Sequence, residues 1–311
     1  MKPGEENESG EGFLVKTDAG ELRSSNVVIA TGTFQKPKIP AFSQKISPRI
    51  SQIHSSLYRN PKRLPPEAVL VVGSGQSGCQ ITEELYQNGR KTYLCTGKGG
   101  RAPRRYHGKD FTWWLTKLGI VDRTVADLDS PAERFTPNPH VTGKDGGHTL
   151  NLHQFALDGV TLLGRLQDAD GTHLTLADDL KENLNKADAF AKEIKKGVDQ
   201  YIEKTGMEAP EDYSTVPQVG YDAEVITALD LDRENIRTII WACGYDHDYR
   251  FVKFPIWDQF GYPIQERGVT EIHGLYFLGL HWLHTIKSGL FFGIAEDAEH
   301  LAEQIESKSP T

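Results

Sequence analysis

Gly73, Gly75 and Gly78 are spaced as GxGxxG, within Gly73-Ser74-Gly75-Gln76-Ser77-Gly78. That spacing can hold the pyrophosphate of a dinucleotide. The first glycine allows a tight turn, the second lets phosphate approach the backbone, and the third lets helix and strand pack closely. The helix that follows offers free N–H groups and the positive end of its dipole. An isolated GxGxxG is a weak signal. Here the apolar run Ala68 to Val72 precedes it and a helical pattern (Ile81, Leu85, Tyr86) follows, which is the required context. The second dinucleotide-side feature is an absence. An NAD site places an acid about 20 residues on, at the end of the next strand. Here that strand ends at Thr96, and the cations Lys98, Arg101, Arg104 and Arg105 follow. Cationic forks suit a 2′-phosphate, so NADP(H) is the expected cofactor; a solvated basic loop is the plainer alternative.

Other chemistry-bearing residues say less. His140, His148 and His153 are close in sequence but match no common metal template, so no metal is expected. Cys79, Cys95 and Cys243 form no CxxC and read as reduced core thiols, in keeping with a cytoplasmic protein and against a disulfide-exchange mechanism. Trp113-Trp114 reads as packing beside the cofactor cleft. No Ser-His-Asp arrangement can be assigned, and the catalytic residues stay open.

The elements that must position these groups follow from periodicity. Residues 1 to 12 are polar and glycine-rich and expected to be disordered. Phe13 to Thr17 and Glu21 to Arg23 read as a hairpin, and Val27 to Thr31 as a buried parallel strand. Prolines 37 to 66 mark an extended connection. Ala68 to Val72, a helix ending at Gly89, and Lys91 to Thr96 make a βαβ unit. Leu180, Leu184, Ala187, Ala191, Ile194 and Val198 give one long helix over 177–205. Ile236 to Cys243 and Leu275 to Leu280 are further strands, and Ile294 to Glu306 closes the chain as a helix. The 311 residues suffice for two domains. With 35 Lys and Arg against 43 Asp and Glu, the net charge is −8. That balance excludes a nucleic-acid partner as the leading reading. No run is long enough to span a membrane, and the N-terminus has no secretory h-region.

Two further apolar runs end at a glycine: Ala30-Thr31-Gly32, with Pro37 and Pro40 after it, and Ala242-Cys243-Gly244-Tyr245. Together with the GxGxSG motif and a C-terminal segment from Gly274 through Gly279 to Lys287-Ser288-Gly289, they resemble the flavin-dependent monooxygenases with two dinucleotide-binding domains. The order and spacing correspond over most of the chain. The resemblance departs in three places. No FAD-binding βαβ unit with its own GxGxxG precedes Val27. The fingerprint before the NADP motif is reduced to His54-x-x-x-Tyr58. Cys243 stands where threonine is usual.

The resemblance implies an α/β fold, with a doubly wound NADP-binding domain inserted in the remaining part of an FAD-binding domain. The expected divisions are 1–62 (flavin-domain remnant), 63–245 (NADP-binding domain with a partly helical insertion) and 246–311 (C-terminal flavin part). It implies NADP(H) and FAD as cofactors, with Thr31, Gly32, Gly244, Gly279 and Lys287 on the flavin side. His281, Trp282 and His284 would lie nearest the reacting centre, or form an ordinary polar loop. The implied activity is NADPH-dependent oxygen transfer to a small organic substrate. The alternatives are a flavin reductase without oxygen transfer and a non-catalytic NADP-binding remnant. A missing N-terminal half or a homo-oligomer is the expected partner, and the chain alone is expected to hold FAD poorly.

Overall fold

The computed structural model describes residues 12–136 and 139–308; all but the last residue of the segment 1–12, expected to be disordered, lies outside them. Along the chain run β1 (Phe13–Thr17), β2 (Gly20–Ser24), β3 (Val27–Ile29), β4 (Ser51–His54), β5 (Ala68–Val72), β6 (Thr92–Cys95), β7 (Thr161–Leu163) and β8 (Leu166–Asp170). β9 (His173–Leu176), β10 (Ala228–Asp230), β11 (Ile236–Trp241) and β12 (Leu275–Phe277) follow. The helices are α1 (Gln76–Gln87), α2 (Phe111–Lys117), α3 (Leu152–Leu157), α4 (Leu180–Thr205) and α5 (Ile294–Lys308).

The chain forms two compact units. One holds residues 1–36, 119–136 and 245–311, the other 37–118 and 137–244. The boundary therefore falls at 36/37, against the 62/63 read from sequence. The reason is β4, which pairs in parallel with β11 (Ile53 opposite Ile240) and so belongs to the larger unit.

The larger unit is built on a five-stranded all-parallel sheet in the order β7-β6-β5-β11-β4. Its central strands are continuous β-branched and leucine runs because both faces are covered. Val69, Val71 and Ile240 pack with Cys79, Leu85 and Leu184 on one face. Leu70, Ile239 and Trp241 pack with Leu166, Leu174 and Leu229 on the other. The second group comes from the antiparallel sheet β8-β9-β10, which sequence patterning did not resolve. From β5 the chain moves outward through β6 to β7, while β11 lies on β5's other side. The order thus reverses at the β5–β11 boundary, where open α/β sheets bind ligands beyond their strand C-termini.

The smaller unit contains the β1–β2 hairpin and the parallel pair β3–β12. β3 covers three residues, shorter than the expected Val27–Thr31, and Val28 is exposed. With β12 as its recorded strand partner, β3 buries one face and alternates, unlike the runs in the five-stranded sheet. Its core gathers Phe13, Ile29, Tyr249, Tyr262, Phe277 and Leu280.

Candidate functional site

The turn after β5 sits at the sheet's reversal point, and its three glycines do different work. Gly73 has φ +109, and a Cβ there would lie 2.5 Å from the Ala242 carbonyl oxygen at the end of β11. A Cβ on Gly78 would lie 1.7 Å from the Gly73 carbonyl oxygen. Those two glycines are required for packing. Gly75, the N-cap of α1, has an ordinary extended φ of −78 and would meet nothing within 4 Å. No local contact demands glycine at 75. A Cβ there would fill the open space at the mouth of the helix, where the N–H groups face outward. That is the geometry a dinucleotide phosphate fits.

The remaining motif residues fix the turn. Ser74 is buried, and its Oγ accepts the Gly97 N–H at 3.0 Å, joining the turn to the loop after β6. The Gln76 side chain pairs with the backbone of Val141, accepting its N–H at 2.9 Å and donating to its carbonyl. Ser77 is exposed in the first turn of α1. Thr96 is buried at the end of β6, donating to the Leu163 carbonyl at 2.8 Å and accepting from Asn183 at 3.2 Å. Its hydroxyl is committed to the protein.

The basic loop differs from its sequence reading. Lys98 is exposed. Arg101 turns inward, 6% exposed, and donates to Asp188 at 2.7 Å. Arg104 pairs with Asp110 at 2.9 Å, and Arg105 donates to the carbonyls of Gly146 and Gly147. Asp188 also accepts from His153 Nε2 at 3.0 Å and from Tyr221 at 2.8 Å. His153 Nδ1 accepts the Gly220 N–H at 3.1 Å, which fixes the Nε2–H tautomer. Burial works against ionising Asp188, but His153, Arg101 and Tyr221 outweigh it and hold the carboxyl well below the usual range. Tyr221 is pushed up to about 12 by burial and by this carboxylate. Sequence reading missed Asp188. The available signal was its position, four residues after Leu184 and three before Ala191, on the apolar stripe of α4.

The histidines are dispersed among these contacts. His148 Nε2 lies 2.5 Å from Glu83, His153 serves Asp188, and His140 is fully buried. Among the described residues no group of three His, Cys, Asp or Glu side chains is placed to hold a metal. Burial pushes the Cys243 thiol up to about 11 and raises Cys79 and Cys95 further. Trp114 is buried and donates to the Tyr106 carbonyl, with Trp113 edge-on against it. His54 Nε2 donates to the Gly244 carbonyl at 3.0 Å, tying β4 to the chain leaving β11.

In the smaller unit, Thr31 is exposed and its Oγ accepts from Gln35 at 2.7 Å; Gly32 follows at φ +67. Gly279 takes φ +75. Lys287 is bound between Asp122 at 2.9 Å and Glu296 at 2.8 Å, so its charge is already neutralised. Ring contacts surround His281 and His247: Phe34 lies 6.4 Å from His281, and Tyr249 stacks on His247 at 5.7 Å. Burial lowers both histidines from their ordinary value. Trp282 holds a left-handed backbone at φ +56, a conformation that costs a non-glycine residue energy.

Comparisons with known proteins agree with this architecture. The family description "pyridine nucleotide-disulphide oxidoreductase" matches residues 6–116. An uncharacterized CzcO-like oxidoreductase of Geobacillus kaustophilus is 32% identical over 94% of this chain and 68% of its own length. The chain belongs to the CzcO-like oxidoreductase family. The CzcO protein of Bacillus subtilis is 30% identical over 95% of the chain and 69% of its own. A flavin-containing monooxygenase of Arabidopsis thaliana, FMO GS-OX-like 9, is 38% identical over 22% of this chain and 15% of its own length. The flavin-containing monooxygenase of Stenotrophomonas maltophilia shares the fold, with TM-score 0.57 and 14% identity over 96% of this chain and 67% of that one. The chain thus belongs to an oxidoreductase family and has the fold of the two-dinucleotide-binding flavoproteins, a fold that takes FAD and NADP(H). The open cradle at Gly75 fits the dinucleotide phosphates. On the flavin side the described residues supply open backbone at Gly32, while Lys287 offers no unpaired charge. No helix among the described residues is long and apolar enough to cross a membrane.

Proposed function

We propose that this chain carries the NADPH-binding unit and part of the flavin-binding unit of an oxidoreductase that transfers oxygen to a small organic substrate. The observation that carries the reading is Gly75, left open at the N-terminus of α1 where the parallel sheet reverses. When bound, the cofactors supply hydride and the oxygen-activating flavin ring. The chain's own residues bind and orient: the 73–78 turn presents backbone N–H groups to phosphate, Ser74 holds that turn to the 97–101 loop, and Lys98 supplies charge for a 2′-phosphate. Similarity to flavin-containing monooxygenases over 22% of the chain supports oxygen transfer over simple flavin reduction. A cytoplasmic location and a small-molecule substrate belong to the same proposal.

The test is calorimetric titration with NADPH and NADH, followed by absorbance spectra after incubation with FAD and by NADPH-dependent oxygen consumption. NADPH binding tighter than NADH, with flavin-dependent oxygen uptake, is the expected result. NADPH binding with no bound flavin and no oxygen uptake would favour a non-catalytic dinucleotide-binding module. Equal affinity for both nucleotides would remove the NADP preference.

A further inference from the structure

The sequence places no acid after β6, yet the fold delivers one there from 87 residues away. Helix α4 lies along the loop that follows β6. Asn183 reaches Thr96, Asp188 takes Arg101, and the Phe190 ring stands 3.1 Å from where a Gly100 Cβ would be. The same loop abuts the phosphate turn: Gly97 bonds Ser74, and a Gly99 Cβ would lie 3.1 Å from the Ser74 carbonyl oxygen. In this fold the end of the second strand is where the adenosine ribose is read. Charge at this loop therefore decides between a ribose hydroxyl and a 2′-phosphate.

We propose that Asp188 is the selectivity-setting positioning residue of this site: it draws the Arg101 guanidinium inward and neutralises it, leaving Lys98 to recognise the 2′-phosphate. The proposal rests on the NADP reading above. Arg101 is buried with its charge satisfied by a carboxylate that three donors already saturate, so neither group is disposed to meet the nucleotide. Nearby His140 adds no charge at neutral pH, because burial and the Arg101 charge lower it to about 4. Glu182 is paired with Lys186, with Lys98 acting on it as well. Asp188 thus lowers the positive potential of a loop whose sequence carries several cations.

The test uses adenosine fragments and requires no flavin chemistry. The whole chain is titrated by calorimetry with 2′,5′-ADP and with 5′-AMP at low ionic strength. The unsubstituted protein is expected to prefer 2′,5′-ADP, and Lys98→Ala to lose most of that preference. Asp188→Asn, which uncovers the Arg101 charge, should raise the preference roughly three- to tenfold, with 5′-AMP little changed. The double variant Arg101→Gln with Asp188→Asn removes both charges and should return the preference to its starting value. Such paired replacement tends to preserve folding, so the test survives if Asp188→Asn alone is unstable. An unchanged ratio in Asp188→Asn overturns the inference, as does loss of preference in the double variant, which would place Arg101 on the phosphate. If the unsubstituted chain prefers neither fragment, the NADP reading falls and the inference falls with it.

Discussion

Single residues at the 73–78 turn separate binding from folding. Gly75→Val puts its Cβ at the mouth of α1, where nothing lies within 4 Å, so the protein should stay folded and lose dinucleotide binding in calorimetry. Gly78→Ala puts a Cβ on the Gly73 carbonyl, and overpacking of that kind costs roughly 1–3 kcal/mol. Its thermal midpoint should fall in the absence of any ligand. His140 makes a separate prediction. Burial first, and Arg101 second, depress its pKa from the ordinary 6.5 to about 4. As pH falls through that interval the unfolded chain takes up the proton before the folded one does. Stability is therefore complete above about 6.5 and declines toward pH 4, by at most about 3 kcal/mol from this residue. Thermal melts between pH 7 and 4.5 should show the decline, and His140→Leu should flatten it.

Among the elements, β11 carries a defect that can be tested. The Thr238 hydroxyl lies inside the sheet, 1% exposed, without a hydrogen-bond partner. An unmet buried hydroxyl costs on the order of 1–3 kcal/mol. Thr238→Val keeps the shape, removes the polar group, and should raise the melting temperature by a few degrees. Helix α4 illustrates what periodicity conveys and what it omits. Its apolar stripe predicted a helix over 177–205, and the helix spans Leu180–Thr205. The same stripe could not show that Asn183 and Asp188 reach into the basic loop. Sequence periodicity reports which face is turned inward, and not what that face meets.

At the scale of the molecule, Lys287 was read as a flavin-side cation and is found joining Asp122 to Glu296 within the smaller unit. Lys287→Ala should lower the thermal midpoint and leave adenosine-fragment binding unchanged, since those fragments belong to the larger unit. What the sequence determined by itself is local. The βαβ unit, the glycine turn, the long α4 helix and the C-terminal helix all rest on neighbours within about thirty residues, and the family resemblance rests on the order of such local motifs along the chain. Hydrophobic period, capping and turn chemistry act at that range. The tertiary structure decided the rest. It paired β4 with β11, which set the boundary of the larger unit. It laid β8, β9 and β10 over one face of the parallel sheet. It also matched Arg101 with Asp188 and Lys287 with Asp122 and Glu296. All but the Lys287–Glu296 pair, nine residues apart, join groups distant along the chain. A cation in the sequence is available to a ligand only if folding leaves it exposed and outside an ion pair, as it does Lys98 and not Arg101. Burial makes such pairing compulsory, because a guanidinium removed from water must find its counter-charge inside the protein.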